Sequence, residues 1–180
     1  GNGDWRVAPM TTLHCPSDSS FRTSKGALCE LVTSDGAIIQ MNSETEVKLR
    51  SPREVELQKG QVFCRAPEEG SIEVFSCEAP TSLTASENDA WSAAGSGNGF
   101  LTALSPDGEA QVISSQRCSV AVTTKAGRHQ LRPGESASIV NGKVNPTGRT
   151  HDSLLSASWI HPLLIRKGHD NPDLNRRVDE

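Results

Sequence analysis

The chain has no tyrosine, and its 180 residues hold only four phenylalanines and three tryptophans. Surfaces that bind sugars or single strands rely on aromatic stacking platforms, so this scarcity weighs against both. There is no excess of basic charge: the formal net charge is -4. A nucleic-acid-binding domain usually carries a basic face, so nucleic acid is not an expected partner. No window approaches the run of about twenty apolar residues needed to span a membrane, and no signal peptide is visible. CxxC pairs are also missing. Cys15, Cys29, Cys64, Cys77 and Cys118 are widely spread, which argues against a zinc ribbon. An odd count leaves at least one thiol unpaired if disulfides form within the chain, and the spacing selects no pairing scheme.

What is present is a grammar of short strands. "ALCELVT" reads as a strand, and Ser34-Asp35-Gly36 as its turn; Asp-Gly suits a type I′ hairpin, in which both central residues take positive φ. "AIIQMN" and "TEVKLR" follow as strands, and Pro52 interrupts. In "REVELQ" Val55 and Leu57 alternate with Glu54, Glu56 and Gln58, the period of two of a half-buried strand. Gly60 breaks that run, and "QVFCRA" resumes it with Val62, Cys64 and Ala66 on one face. "PEEG" turns the chain, and "SIEVFS" directs Ile72 and Val74 inward. The segment "AAGSGNG" reads as a flexible surface loop; no GK[ST] follows it, so it is no phosphate cradle. Strand signals return with "FLTALS", Asp107-Gly108, "EAQVIS", "CSVAVTT", a turn at Ala126-Gly127, "RHQLRPGESASIV", Asn141-Gly142 and "KVN".

Two phrases nearly repeat. "LQKGQVFCR" (Leu57 to Arg65) and "LRPGESASI" (Leu131 to Ile139) each place a Leu three residues before a Gly, then alternate small or apolar with polar residues. The expected fold is all-β: a short β-solenoid-like or sandwich-like stack of antiparallel strands. An irregular N-terminal segment and a short C-terminal helix flank it. The divisions read as an extended lead-in (1–27, with an edge strand around Thr11 to His14), a β domain (28–147) and a C-terminal appendage (148–180). In that appendage "DNPDLNRRVDE" opens as a helix, with Asp170 or Asn171 as N-cap and Pro172 in the first turn. The chain starts on Gly1 rather than Met and stops inside this helix pattern, so both ends read as cut from a longer protein.

Candidate chemistry is thin. His14, His129, His151, His161 and His169 are scattered, with no i, i+4 pair on an expected helix, so no metal site is expected. No GxSxG elbow is present. Glu44, Glu46, Glu54 and Glu56 read as solvated charge on strands rather than as a carboxylate pair. "KAGRHQLR" gathers Lys125, Arg128, His129 and Arg132; such a cluster reads first as solvated rim, with an anion-facing corner as the alternative. Trp91 and Trp159 are candidate sugar platforms, but packing suits them better, with Trp159 pinning the tail to the stack. No catalytic, cofactor-binding or metal-ligating residue is assigned, no cofactor is expected, and the chain is not expected to be an enzyme.

The stretches "SDGAIIQMN", "REVELQKGQVFCRA", "IEVFS" and "QLRPGESASIVNGKV" together resemble the periplasmic domain of FecR-like proteins. That family opens on DG-x-x-x-x-x-N, continues with R-x-V-x-L-x-x-G-x-x-x-F-x-V and closes on L-x-x-G. The match runs from about residue 30 to about 145. Arg53, Val55, Leu57 and Gly60 all fall in step. Cys64 stands where an aromatic is usual and Ala66 where Val is usual, the middle third matches poorly, and the tail does not look like the family's small α/β subdomain. The resemblance implies a short stack of strands, with each L-x-x-G a coil corner where Gly takes a conformation that strains other residues. It also implies a non-catalytic signalling module in the periplasm, tethered to the inner membrane by a segment outside this sequence. A protein partner in the cell envelope, such as the signalling domain of an outer-membrane receptor, then follows, as does regulation of a sigma factor. An oxidising compartment of this kind would permit disulfides. The contact surface expected is a strand edge near an end of the stack or the 88–100 loop. A carbohydrate-binding or cell-wall adhesive β domain is the alternative, and it requires a planar row of exposed aromatics.

Overall fold

Between Glu54 and Arg65 the chain builds one strand of twelve residues, and the alternation of its side chains changes phase at Gly60, with Val55 and Leu57 buried before it and Val62 and Cys64 buried after it. The computed structural model describes residues 16–67, 69–76, 90–97, 99–115, 117–149 and 159–160. Within them the chain begins with β1 (Ser19–Arg22), β2 (Cys29–Val32), β3 (Ile38–Met41), β4 (Glu46–Ser51) and the long β5 (Glu54–Arg65). β6 (Ile72–Ser76), β7 (Trp91–Gly97), β8 (Phe100–Leu104) and β9 (Ala110–Ser114) follow. β10 (Cys118–Thr124), β11 (Gly127–Leu131), β12 (Glu135–Val140) and β13 (Lys143–Arg149) complete the sheet.

The strands form two layers, and β5 belongs to both. Its first half pairs with β4 and, in parallel, with β6; its second half pairs with β3 and β8. One layer therefore reads β1-β4-β5-β6-β7-β10-β11 and the other β2-β3-β5-β8-β9-β12-β13. In each layer the strands lie in chain order. The polypeptide alternates between layers, mostly one hairpin at a time, so the stack grows in a single direction as a solenoid does. Every pairing except β5 with β6 is antiparallel. Together the layers make a nearly closed, barrel-like sheet.

The interior is filled from both layers. Val55, Leu57, Val62, Cys64, Ile72 and Val74 are fully buried, and Ile39, Met41, Val112, Val120 and Leu131 join them in one cluster. Burying a Leu, Ile or Val side chain is worth about 1.5–3 kcal/mol, so this cluster is the main stabilising term.

Each of the two repeated phrases is a place where the chain changes layer. At the first, Lys59 still pairs with β4, while Gly60 already pairs with Leu104 of β8. Gly60 takes φ +88. A Cβ there would lie 2.7 Å from the Thr45 Cα and 2.9 Å from the Glu44 carbonyl oxygen, so only hydrogen fits. The Thr45 hydroxyl secures the bend: it accepts from the Gln61 N–H at 3.0 Å and donates to the Gln61 carbonyl at 3.1 Å. At the second, β11 ends on Leu131 in one layer and β12 starts on Glu135 in the other, across Gly134 at φ +80. Here a Cβ would meet nothing within 4 Å.

Several readings from sequence need correction. Gly60 bends β5 between layers but does not end it. "AAGSG" is no flexible loop: it lies in β7, which pairs with β6 on one side and β10 on the other. Its small residues are needed because the Phe100 ring packs against Gly95, where a Cβ would approach Phe100 Cδ1 to 2.5 Å. The Asp35-Gly36 turn is not type I′, because Gly36 alone has positive φ. It and the Asp107-Gly108 turn share another pattern, in which the Thr33 or Ser105 hydroxyl donates to the Asp two residues on and Gly36 or Gly108 N–H donates back to the Thr33 or Ser105 carbonyl. Asn141-Gly142, at φ +50 and +67, has the two positive values of type I′. Within the lead-in, β1 forms an edge by pairing with β4. The Thr11 to His14 strand and the C-terminal helix lie outside the described residues. Cys29, Cys64 and Cys118 are free thiols, which rules out a two-bridge scheme; Cys15 and Cys77 lie outside the described residues.

The two corners differ in what a side chain would meet, and this can be measured. Gly134→Ala introduces backbone strain alone and is expected to cost about 1–2 kcal/mol in urea unfolding. Gly60→Ala must also displace the Glu44–Thr45 backbone and should cost more than about 3 kcal/mol. Equal costs would contradict the corner geometry.

Candidate interaction surface

Of the residues singled out from sequence, those that are described lie apart on several strands and turns. Among the described residues no three His, Cys, Asp or Glu side chains come together as a metal-binding group. His129 is half-buried on β11; His14, His151, His161 and His169 lie outside the described residues. Glu44 sits exposed in a turn at φ +55, while Glu46 and Glu54 face outward on their strands. Glu56 departs from the expected solvated charge. It is 9% exposed and paired with Arg50, whose Nε and Nη2 lie 2.7 and 2.6 Å from its Oε2. Arg50 also contacts Asp18, as does Lys48, so these charges fasten β1 to β4 and β5. Trp91 is a core residue at 4% exposure, and Trp159 is half-buried. Phe21, Phe63 and Phe75 are half-buried and Phe100 is in the core, so the described residues present no planar row of exposed aromatics.

The residues that carry the FecR resemblance have structural work. Val55 and Leu57 fill the core and Gly60 makes the layer change. Arg53, in the β4–β5 turn of one layer, donates through Nε to Asp35 Oδ2 at 2.5 Å, in the β2–β3 turn of the other. The "DG" turn and the "RxVxLxxG" strand thus clamp each other across the sandwich. That guanidinium, helped by the Thr33 hydroxyl, lowers the Asp35 carboxyl from its ordinary 3.8 to about 2.

The surface of the described residues offers a further set of features. Among the described strands, four close the layers: β1 and β11 in one, β2 and β13 in the other. β13 is a poor template for a further strand, since Pro146 lacks an N–H and a bulge disturbs its pairing at Ser136/Ala137. β1 and β2 have four residues each. β11 has five, without proline or bulge, and it carries Arg128 and His129, with Arg132 just beyond. Beside it runs a groove of about 300 Å³ lined by His129, Leu131, Arg132, Glu135 and Pro146. The expected 88–100 loop loses its candidacy, because residues 91–97 form an interior strand of their layer.

Charge is not evenly spread along the stack. Residues 16–76 hold ten acidic and seven basic side chains, whereas residues 117–149 hold six basic and a single acid, Glu135. Because the strands lie in chain order, this asymmetry in sequence becomes a polarity in space: β10 to β13 form a cationic end. Glu135 is itself engaged, its Oε2 accepting from the Arg132 N–H at 2.8 Å.

No protein-family model matches the chain, and no curated protein sequence matches it. Two solved structures share its fold, each a crystal structure of a candidate anti-sigma factor from Parabacteroides distasonis. The first has 17% identity and a TM-score of 0.62, over 79% of this chain and 64% of that one. The second has 16% identity and a TM-score of 0.60, over 77% and 63%. The chain therefore spans somewhat less than two thirds of either structure. At this identity the likeness establishes the fold.

The clamp between Arg53 and Asp35 has a pH signature. Asp35 is held ionised in the folded state, so its contribution is complete above the unfolded value of 3.8 and is lost as pH falls through about 2. The pair is largely solvated, so the effect is modest. Asp35→Asn should melt below the parent chain at pH 6, and the gap between their Tm values should close towards pH 2. A gap independent of pH would remove the clamp from the account.

Proposed function

We propose that this chain is the periplasmic, non-catalytic domain of a FecR-like sigma-factor regulator, held at the inner membrane by a segment outside this sequence. It works by contact with a protein partner in the cell envelope. The observation that carries this reading is the shared fold with two candidate anti-sigma factors. It is supported by the fit of the family's motif residues to this architecture: Asp35 and Arg53 clamp the layers, and Gly60 makes the corner. A stack of strands offers its terminal edges as the least costly specific contact, through main-chain hydrogen bonds that a partner strand completes.

The reading is tested in the full-length native protein. A phosphatase reporter fused after residue 149 is expected to be active, as it is only on the exported side of the membrane. Deletion of residues 19–149 is expected to change transcription from promoters served by the cognate sigma factor at least severalfold. An inactive reporter would overturn the location, and unchanged transcription would overturn the regulatory role.

A further inference from the structure

We infer that the outer edge of β11 is a docking site for an acidic, extended segment of a partner protein, which adds to it as a strand. The inference rests on the protein-contact reading above and gives that contact a place and a chemistry. Among the described strands β11 is the last of its layer and pairs with β10 alone, from Thr124↔Gly127 to Val120↔Leu131. In an antiparallel pair the main-chain groups of alternate residues point away from the neighbour, so one side of β11 presents donors and acceptors in register for another strand. Nothing on β11 itself obstructs this, whereas β13 is obstructed by Pro146 and its bulge.

Charge selects the occupant. Arg128 and Arg132 are exposed, one on β11 and one in the turn that follows. Lys143 is exposed on β13, at the same end of the stack. The single acid of residues 117–149, Glu135, is turned back onto the Arg132 N–H. A strand lying against β11 would cover the groove of about 300 Å³ and place every second side chain near these cations. Carboxylates there gain charge-assisted contacts, and lysines there are repelled. The overall charge of -4 makes the selection local, since an acidic segment is attracted to this end and repelled by the acidic remainder.

The test uses the 180-residue chain and two synthetic ten-residue peptides, one alternating Glu with Val and one alternating Lys with Val, each titrated with an amide hydrogen-exchange readout. The Glu peptide is expected to bind at least tenfold more tightly than the Lys peptide and to slow exchange within Gly127–Leu131. Arg128→Glu with Arg132→Glu should weaken it at least tenfold without lowering the Tm, while Arg128→Lys with Arg132→Lys should retain it. Four outcomes would overturn the inference: no binding at millimolar peptide, equal binding of both peptides, protection at β1, β2 or β13 instead, or equal protection of β11 by heparin or oligothymidine. The last would make the end a polyanion surface. None of these results bears on the transcription experiment, so the regulatory reading and the docking edge can fail separately.

Discussion

A single continuous hydrogen-bonded strand, β5, serves two layers because its backbone bends at Gly60, and the rest of the fold is arranged around that bend. The first half of β5 holds β4 and β6, and the second half holds β3 and β8. Were the bend lost, the two halves would extend in one plane, and Leu57 and Val62 would no longer share an interior. The bend has a cost in main-chain pairing, because a strand that turns away from β4 leaves amide and carbonyl groups behind. Thr45 meets that cost: its hydroxyl bonds both polar groups of Gln61, and Thr45 itself is only 1% exposed. A buried polar side chain is here a part of the corner, with its hydrogen-bonding capacity spent on the backbone it stabilises.

Much of this was legible in the sequence, and the residues show why. Alternation in "REVELQKGQVFCRA" named the core side chains correctly, because period two is imposed by the pleat on each side of Gly60, and only its phase shifts at the bend. The repeated Leu-x-x-Gly marked two of the crossings that lead from the first layer to the second, but not the one from Gly97 to Phe100. The misreadings came where a local pattern was decided by a side-chain contact that residue spacing does not reveal. Gly95 looks like a loop residue until Phe100, five residues on, is known to fold back against it, and the sequence does not announce that contact. The Asp35 turn looks like type I′ until the Thr33 hydroxyl captures Asp35 and favours a different turn. The acidic Glu56 looks solvated until Arg50, six residues earlier, is placed beside it by the β4–β5 hairpin.

The surface was harder to read than the interior. Composition alone gave a mildly acidic chain and argued against a nucleic-acid partner. Composition averages over the molecule, however, and this fold does not mix its sequence in space. In a chain whose strands lie in order through both layers, a run of like charge in sequence stays a region of like charge on the surface. The cationic cluster around Arg128 and Arg132 was visible as a local run; its extension over four strands became visible only with the strand order.

That same order settles which parts of the molecule are exposed to change. A strand within the stack has neighbours on both sides, and altering it disturbs both; a terminal strand has one. Natural sheets protect such edges against indiscriminate pairing, by proline, by bulges or by charge. Here the two edges at the C-terminal end of the stack are treated differently. β13 is protected by Pro146 and a bulge, which discourage any strand whatever its sequence. β11 is protected by positive charge, which discourages basic or neutral strands yet favours an acidic one. Protection by charge is conditional where protection by proline is not, and a fold that uses both at adjacent edges leaves one of them open to a partner of the right composition.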